Sequence, residues 1–299
     1  MEKNIKLVAI DLDGTLLNSD KKVSRKNFEI IKKLRAKGIF VVIATGRPLG
    51  GFSWILDDLE LNSDDDYSIT NTGSLIIKNK DRSDVSKKIL SMGDYLNLKK
   101  IINDKLQIGI YNKYNLYSNS EKVNKYFLFE SEILKMPIEK IDEKDMSQRV
   151  DSITITGNKD AVDEFEKNYN EILLKTYQTV RNVPEVFEVL HKEADKGQAL
   201  KRLCEILNVD LKSTLAIGDS NNDKTMLNMA GVSATCGNGR ESVKEMVDIV
   251  SNYSNDEDGV CDILEKVFFD KWNWKKRKNQ YYMISYLCKI FLKSYIFLC

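Results

Sequence analysis

The sequence predicts an α/β fold: a parallel-sheet core built from both ends of the chain, with an α+β domain inserted between them. Three observations carry this. Short apolar runs alternate with helical-period segments near both ends, a lysine- and asparagine-rich stretch separates them, and several apolar runs end in carboxylates.

The elements follow in order. IKLVAI (5–10) is a short apolar run closed by turn residues, as in a buried strand. Ser24 opens SRKNFEIIKKLRAKG, where Phe28, Ile31 and Leu34 recur at helical spacing and Gly38 suits the C-terminal cap. IFVVIAT (39–45) reads as a second buried strand, followed by a helical stretch over 49–61 and short strands at YSIT (67–70) and SLII (74–77). From 83 to 183 the character changes, with helices expected around 84–104 and 160–175 and strands at QIGIYN (107–112) and SITITG (152–157). VFEVL (186–190), a helix from Lys196, STLAIGD (213–219), a helix from Asn222 and VSAT (232–235) then restore the first rhythm. The expected division is 1–82 with 184–269 as the core, 83–183 as the insert, and 270–299 as a tail.

Composition narrows the function. With a net charge of +1, no global field points to nucleic acid or an anionic membrane. Five dispersed cysteines lack zinc-ligand or redox spacing and fit reduced thiols in a cytoplasmic protein. The single histidine, His191, excludes multi-histidine metal sites and is read as structural. The composition leaves the oligomeric state open.

Ligands of a parallel α/β sheet bind beyond the carboxyl ends of its strands. There the sequence places Asp11-Leu12-Asp13-Gly14-Thr15, Thr45-Gly46-Arg47, and Gly218-Asp219-Ser220-Asn221-Asn222-Asp223, with Asp195-Lys196-Gly197 at a helix start. Carboxylates without histidine suggest a hard cation, Mg2+, and the lysine and amides suggest a phosphate opposite it. Asp11 and Asp13, two apart on extended chain, face one site. One carboxylate attacks phosphorus and the other handles the leaving-group proton.

DLDGTLL (11–17), ATGR (44–47), ADKG (194–197) and GDSNND (218–223) resemble, in order, the four motifs of the haloacid dehalogenase superfamily of phosphatases. The insert between the second and third motifs, and NYSNDEDGV (252–260), resemble its Cof-like subfamily with an α/β cap over a Rossmann-like core. The resemblance spans roughly residues 5 to 268 and implies roles. Asp11 is the nucleophile that forms an aspartyl-phosphate, and Asp13 the general acid and then base. Mg2+ is held by Asp11, the main-chain carbonyl of Asp13, and Asp219. Leu12, Thr45, Gly46, Lys196 and Asn222 contact phosphate, and Asp223 supports metal or lysine. The substrate is a small phosphorylated metabolite, such as a sugar phosphate. A phosphomutase-like phosphotransferase and a non-catalytic phosphate sensor are the rivals. The chain departs from the family pattern at Thr72-Gly73 after Asn71 and at Cys236-Gly237-Asn238-Gly239, both beside the site.

Taken singly each motif has a plainer reading: an Asp-Gly turn, a threonine-capped loop, a solvated lysine, a calcium-like loop. Four in order weigh against the Asp-Gly turn and favour the shared site. For the tail, Lys289 and Lys293 argue against a membrane span. A packed helix, a membrane-surface helix beside KKRK (275–278), and a segment without structural role stay open.

Overall fold

The computed structural model describes residues 4–120 and 122–269. The readings of the tail therefore fall outside the described residues. Among those described, no helix is long and apolar enough to cross a membrane.

The chain begins with β1 (Leu7–Ile10), α1 (Arg25–Ala36), β2 (Phe40–Ala44), α2 (Ser53–Asp58), β3 (Tyr67–Thr70), β4 (Leu75–Lys78) and β5 (Asp84–Lys87). The side chain of Ser24 accepts from the Asn27 N–H and caps α1, which ends at Gly38 with φ +74°. β1 is buried along its whole length because both faces are covered. Val8 and Ile10 pack with Ile30, Ile31 and Leu34 of α1, while Leu7 and Ala9 pack on the opposite side. That explains a continuous apolar run rather than an alternating one.

The middle of the chain supplies α3 (Met92–Lys99), β6 (Leu106–Tyr111), β7 (Leu116–Ser118), α4 (Lys125–Leu134), β8 (Ile138–Lys140), β9 (Ser152–Gly157), α5 (Lys159–Leu173), β10 (Tyr177–Val183) and β11 (Val186–His191). The chain then returns through α6 (Lys196–Ile206), β12 (Thr214–Ile217), α7 (Lys224–Met229), β13 (Val232–Thr235), α8 (Glu241–Lys244), β14 (Ile249–Val250) and α9 (Gly259–Phe268).

Two sheets result. The core sheet runs β14-β13-β12-β1-β2-β3-β4-β5, parallel from β14 to β3, with β4 and β5 antiparallel at one edge. The cap sheet runs β10-β11-β9-β6-β7-β8 and is antiparallel except where β7 meets β8. The Rossmann-like core under an inserted cap is thus present.

The expected boundaries do not coincide with these sheets. Residues 84–87, expected to begin a helix of the insert, form β5 on the core sheet. VFEVL, expected to rejoin the core, pairs with β9 and β10 in the cap sheet. Phe187 and Val189 join Ile153, Ile155, Ile108 and Ile110 in the dry core under α3 and α5, while Val186 and Glu188 point the other way. Val186 and Leu190 on that second face are buried as well, so the run resembles a doubly covered core strand, and its pairing with β9 and β10 is what assigns it to the cap. The two connecting segments are tied by a Lys88–Glu193 ion pair, and the first is held to the core by the Lys88 N–H donating to the Ser74 carbonyl at 2.7 Å.

Candidate active site

Strand register assembles the site. β1 lies between β12 and β2, with Ile10 level with Ile217 on one side and Ile43 on the other. The chain ends that follow, Asp11, Asp219 and Thr45, therefore emerge side by side. The Asp11 N–H continues the ladder onto the Ile217 carbonyl at 2.9 Å. Gly14 turns the chain away with φ +77°, and a Cβ there would lie 2.8 Å from Asp219 Oδ2. Glycine is needed at this turn on both counts.

Lys196 is the electrostatic pivot. It is fully buried at the start of α6, where Asp195 caps the helix by accepting from the Gln198 N–H at 2.9 Å. Its Nζ donates to Asp11 Oδ1 and to Asp223 Oδ1, both at 2.6 Å. Burial disfavours the ammonium, but the charges of Asp11 and Asp223 and their hydrogen bonds hold its pKa above the usual lysine range. The second oxygen of Asp223 accepts from the N–H groups of Asp219 and Ser220 at 3.1 and 3.0 Å. Asp223 is thus saturated and braces the loop that carries Asp219.

Asp11 and Asp219 are not saturated. Asp11 Oδ1 takes Lys196 and Asp219 Oδ1 takes the Thr15 hydroxyl at 3.1 Å, and no protein donor among the described residues meets either Oδ2. Burial, then the charge of Asp223, pushes both pKa values up, Asp11 well above its ordinary value and Asp219 to about 6. One carboxylate oxygen from each of Asp11, Asp219 and Asp223 lies within 4.8 Å of the others. Open carboxylate oxygens and mutual repulsion fit a hard cation. Because both Asp223 oxygens are occupied, Asp11 and Asp219 are the better ligands of the three.

Asp13 is held quite differently. Arg47 grips it through two bonds, Nε to Oδ2 and Nη2 to Oδ1, both 2.7 Å, and Lys21 donates to Oδ1 at 2.9 Å. The third arm of Arg47 donates to the Gly51 carbonyl at 2.9 Å. Burial raises the Asp13 pKa, but the hydrogen bonds and charges of Arg47 and then Lys21 outweigh it and hold the group below its usual range.

A cleft of about 340 Å³ opens above these groups and beneath the cap. Asp11, Asp13, Thr45, Gly46, Asp219 and Asn222 border it from the core. Lys196 and Asp223 do not: they lie one layer below, covered by Asp11. The Leu12 side chain is in the core. His191 ends β11 and its Nδ1 accepts from the Glu193 N–H at 3.1 Å, outside the cleft lining. The two departures from the family pattern act as struts. The N–H groups of Asn71 and Thr72 bond the carbonyls of Arg47 and Thr45 at 3.1 and 3.2 Å, and Asn238 Nδ2 donates to the Gly14 carbonyl at 2.8 Å. A second hollow of about 330 Å³ is made by cap residues alone and touches none of the four motifs.

The sequence reading gave no role to Arg47, Tyr111, Glu130, Glu188 or Arg240, which also line the cleft. Arg47 was visible as the charged residue closing ATGR. Glu188 was visible as the lone charge inside VFEVL.

The comparisons with known proteins fit this geometry. The family model described as haloacid dehalogenase-like hydrolase matches residues 8–264. A Streptococcus pyogenes serotype M6 protein that carries a provisional phosphatase name is 30% identical over 266 residues, 88% of this chain and 98% of its own. The 5-amino-6-(5-phospho-D-ribitylamino)uracil phosphatase YcsE of Bacillus subtilis is 30% identical over 265 residues, covering 86% and 94%. A crystal structure of a haloacid dehalogenase-like hydrolase from Bacteroides thetaiotaomicron superposes with a TM-score of 0.80 at 28% identity, covering 88% of this chain and 100% of that one. With paired strand ends, a lysine-braced aspartate and a family model spanning both sheets, this chain belongs to the haloacid dehalogenase-like hydrolases and is a phosphatase.

Proposed function

We propose that this phosphatase hydrolyses small phosphorylated metabolites, sugar phosphates or related polyol phosphates, through an aspartyl-phosphate on Asp11 and with Mg2+. The observation that carries the reading is the posture of Asp11: one oxygen anchored by buried Lys196, the other open to the cleft. That is the posture of a nucleophile.

In this mechanism the open oxygen of Asp11 attacks phosphorus, and the bond from phosphorus to the leaving oxygen breaks as Asp13 delivers a proton to that oxygen. Asp13 then takes a proton from water, which attacks phosphorus and releases Asp11. The Thr45 hydroxyl, Asn222 and the main-chain N–H groups of Leu12 and Gly46 hold the phosphoryl oxygens, and Lys196 offsets charge from beneath. Mg2+ would be held by Asp11, Asp219 and the Asp13 carbonyl, and supplies positive charge against the carboxylates and the phosphoryl group. Arg47 fixes the orientation of Asp13 through two bonds and lowers its pKa. The Bacillus relative, named for a ribityl phosphate, supports a polyol-bearing substrate.

Turnover of an aryl phosphate with Mg2+, and its loss with chelator, tests the reading. Asp11→Asn should abolish turnover, because an amide is a poor nucleophile. Phosphate trapped on Asp13, or turnover surviving in Asp11→Asn, would overturn the assignment.

A further inference from the structure

The cap wall of the cleft holds two carboxylates that the chemistry above does not use. Glu188 stands on the face of the cap sheet opposite its dry core, level with Thr154 on β9 and Gly109 on β6. Tyr111 lies two residues along β6 from Gly109, on the same face, and its hydroxyl donates to Glu130 Oε2 of α4 at 3.2 Å. All three side chains line the cleft. Phe127 of α4 closes over Gly109, where a Cβ would be 2.6 Å from its ring, so the open part of this face is the part that looks at the core.

Glu188 has no hydrogen-bond or ion-pair partner among the described residues, and Glu130 has only the tyrosine. No lysine or arginine of the cap borders the cleft. Across it, Arg47 is already committed to Asp13 and the Gly51 carbonyl, and Arg240 sits beside Asp219, its main-chain N–H on the Asp219 carbonyl at 3.0 Å and its charge acting on that carboxylate. A half-buried carboxylate without a partner is costly, and the cost shows: burial, then the charge of Glu130, pushes Glu188 up to about 8. The cap wall lacks a cation, and the Tyr111 hydroxyl is already spent on Glu130. A ligand with a protonated amine, flanked by hydroxyls, supplies a cation and donors.

We propose that Glu188, with Glu130 and Tyr111, selects the leaving-group half of the substrate, taking phosphomonoesters that present an amine to this wall and rejecting those that present a second anion. This rests on the phosphatase reading for the position of the phosphoryl group. It goes beyond it by naming the chemistry at the other end.

Three substrates with the same phosphoryl end test it: glucosamine 6-phosphate, glucose 6-phosphate and 6-phosphogluconate. In the wild-type full chain, kcat/KM should fall in that order, with roughly a 10- to 100-fold span from amine to carboxylate. Glu188→Gln should compress the span about tenfold, a ratio that general damage to fold or chemistry leaves alone. Glu130→Gln should compress it less, because Tyr111 already shares that charge. Calorimetric binding of the same three ligands to Asp11→Asn protein separates the two readings. No turnover of any of the three by the wild-type chain, with the affinity order kept in the Asp11→Asn protein, would sink the phosphatase mechanism and uphold the cap assignment. Turnover with 6-phosphogluconate as good as the amine, or a span unchanged in both glutamine variants, would overturn the cap assignment.

Discussion

Asp223 and Glu188 are both carboxylates near one cleft, the first fully buried and the second half-buried, and the fold treats them oppositely. Asp223 has Lys196 on one oxygen and two main-chain N–H groups on the other. Glu188 has nothing. The difference follows from what each end of the cleft must do. The phosphoryl group is constant, so its surroundings can be completed within the chain and preorganised. On the proposed cap assignment, the wall at the leaving-group end is finished by the ligand.

Breaking the comparison at its strong end gives the largest effect. Lys196→Met leaves Asp11 and Asp223 buried without their shared cation, a loss on the order of 3–5 kcal/mol. Melting temperature and turnover should collapse together, whereas Glu188→Gln should melt no lower than wild type. Equal melting of the two variants would mean that the contrast between paired and unpaired carboxylates is false.

Arg47→Met is next. Without the two-bond grip Asp13 loses its fixed orientation, and kcat for alkyl phosphates should fall about 10- to 100-fold, within the range that general acid–base catalysis contributes. KM should move little, since the guanidinium is spent on Asp13. A rise in KM with kcat intact would instead make Arg47 a substrate contact.

The smallest effect sits between the two sheets. Arg149 bridges Asp84 of β5 and Asp151 at the start of β9, both at 2.6 Å. Asp151 is fully buried with its other oxygen unpartnered, and burial, against the pull of Arg149, pushes its pKa up to about 6. The folded state therefore holds the proton more tightly than the unfolded chain. The stability cost of ionisation grows as pH rises from about 4 to about 6 and is complete above that. Asp151→Asn avoids it. Its melting temperature relative to wild type should climb across that window and stay level from pH 6 to 8. A gap that shrinks as pH rises would show that the Arg149 pair dominates.

The core was legible because its signals are local. Apolar runs ending in Asp11, Thr45 and Asp219 fix strand ends, and parallel register does the rest. The partnership of Lys196 with Asp223 was not legible, since residues 27 apart in sequence meet only after α6 and α7 pack. Nor was the pairing of Arg47 with Asp13. The cap was read least well. Its strands carry Thr154, Thr156, Gln107 and Glu188 on one face, fully or partly buried against α4 or the core. Polar residues in such positions look like surface to any reading by hydropathy. β11 was assigned to the wrong sheet for the opposite reason: VFEVL is apolar at all but Glu188 and buried on both faces, so it looks like a strand of the parallel core.

The insertion has a consequence for synthesis. β1 gains one neighbour, β2, almost at once, but the neighbour on its other edge, β12, begins at Thr214, after the whole cap has been made. The cap's strands find each other within their own stretch of chain, so that unit has what it needs to fold while the core waits half-built. At roughly 5–20 residues per second, the edge of a fully apolar strand stays unpaired on the order of ten seconds. An exposed apolar edge is a template for wrong pairing. Asp11, the proposed nucleophile, therefore sits at the tip of the strand that spends longest without its final neighbour.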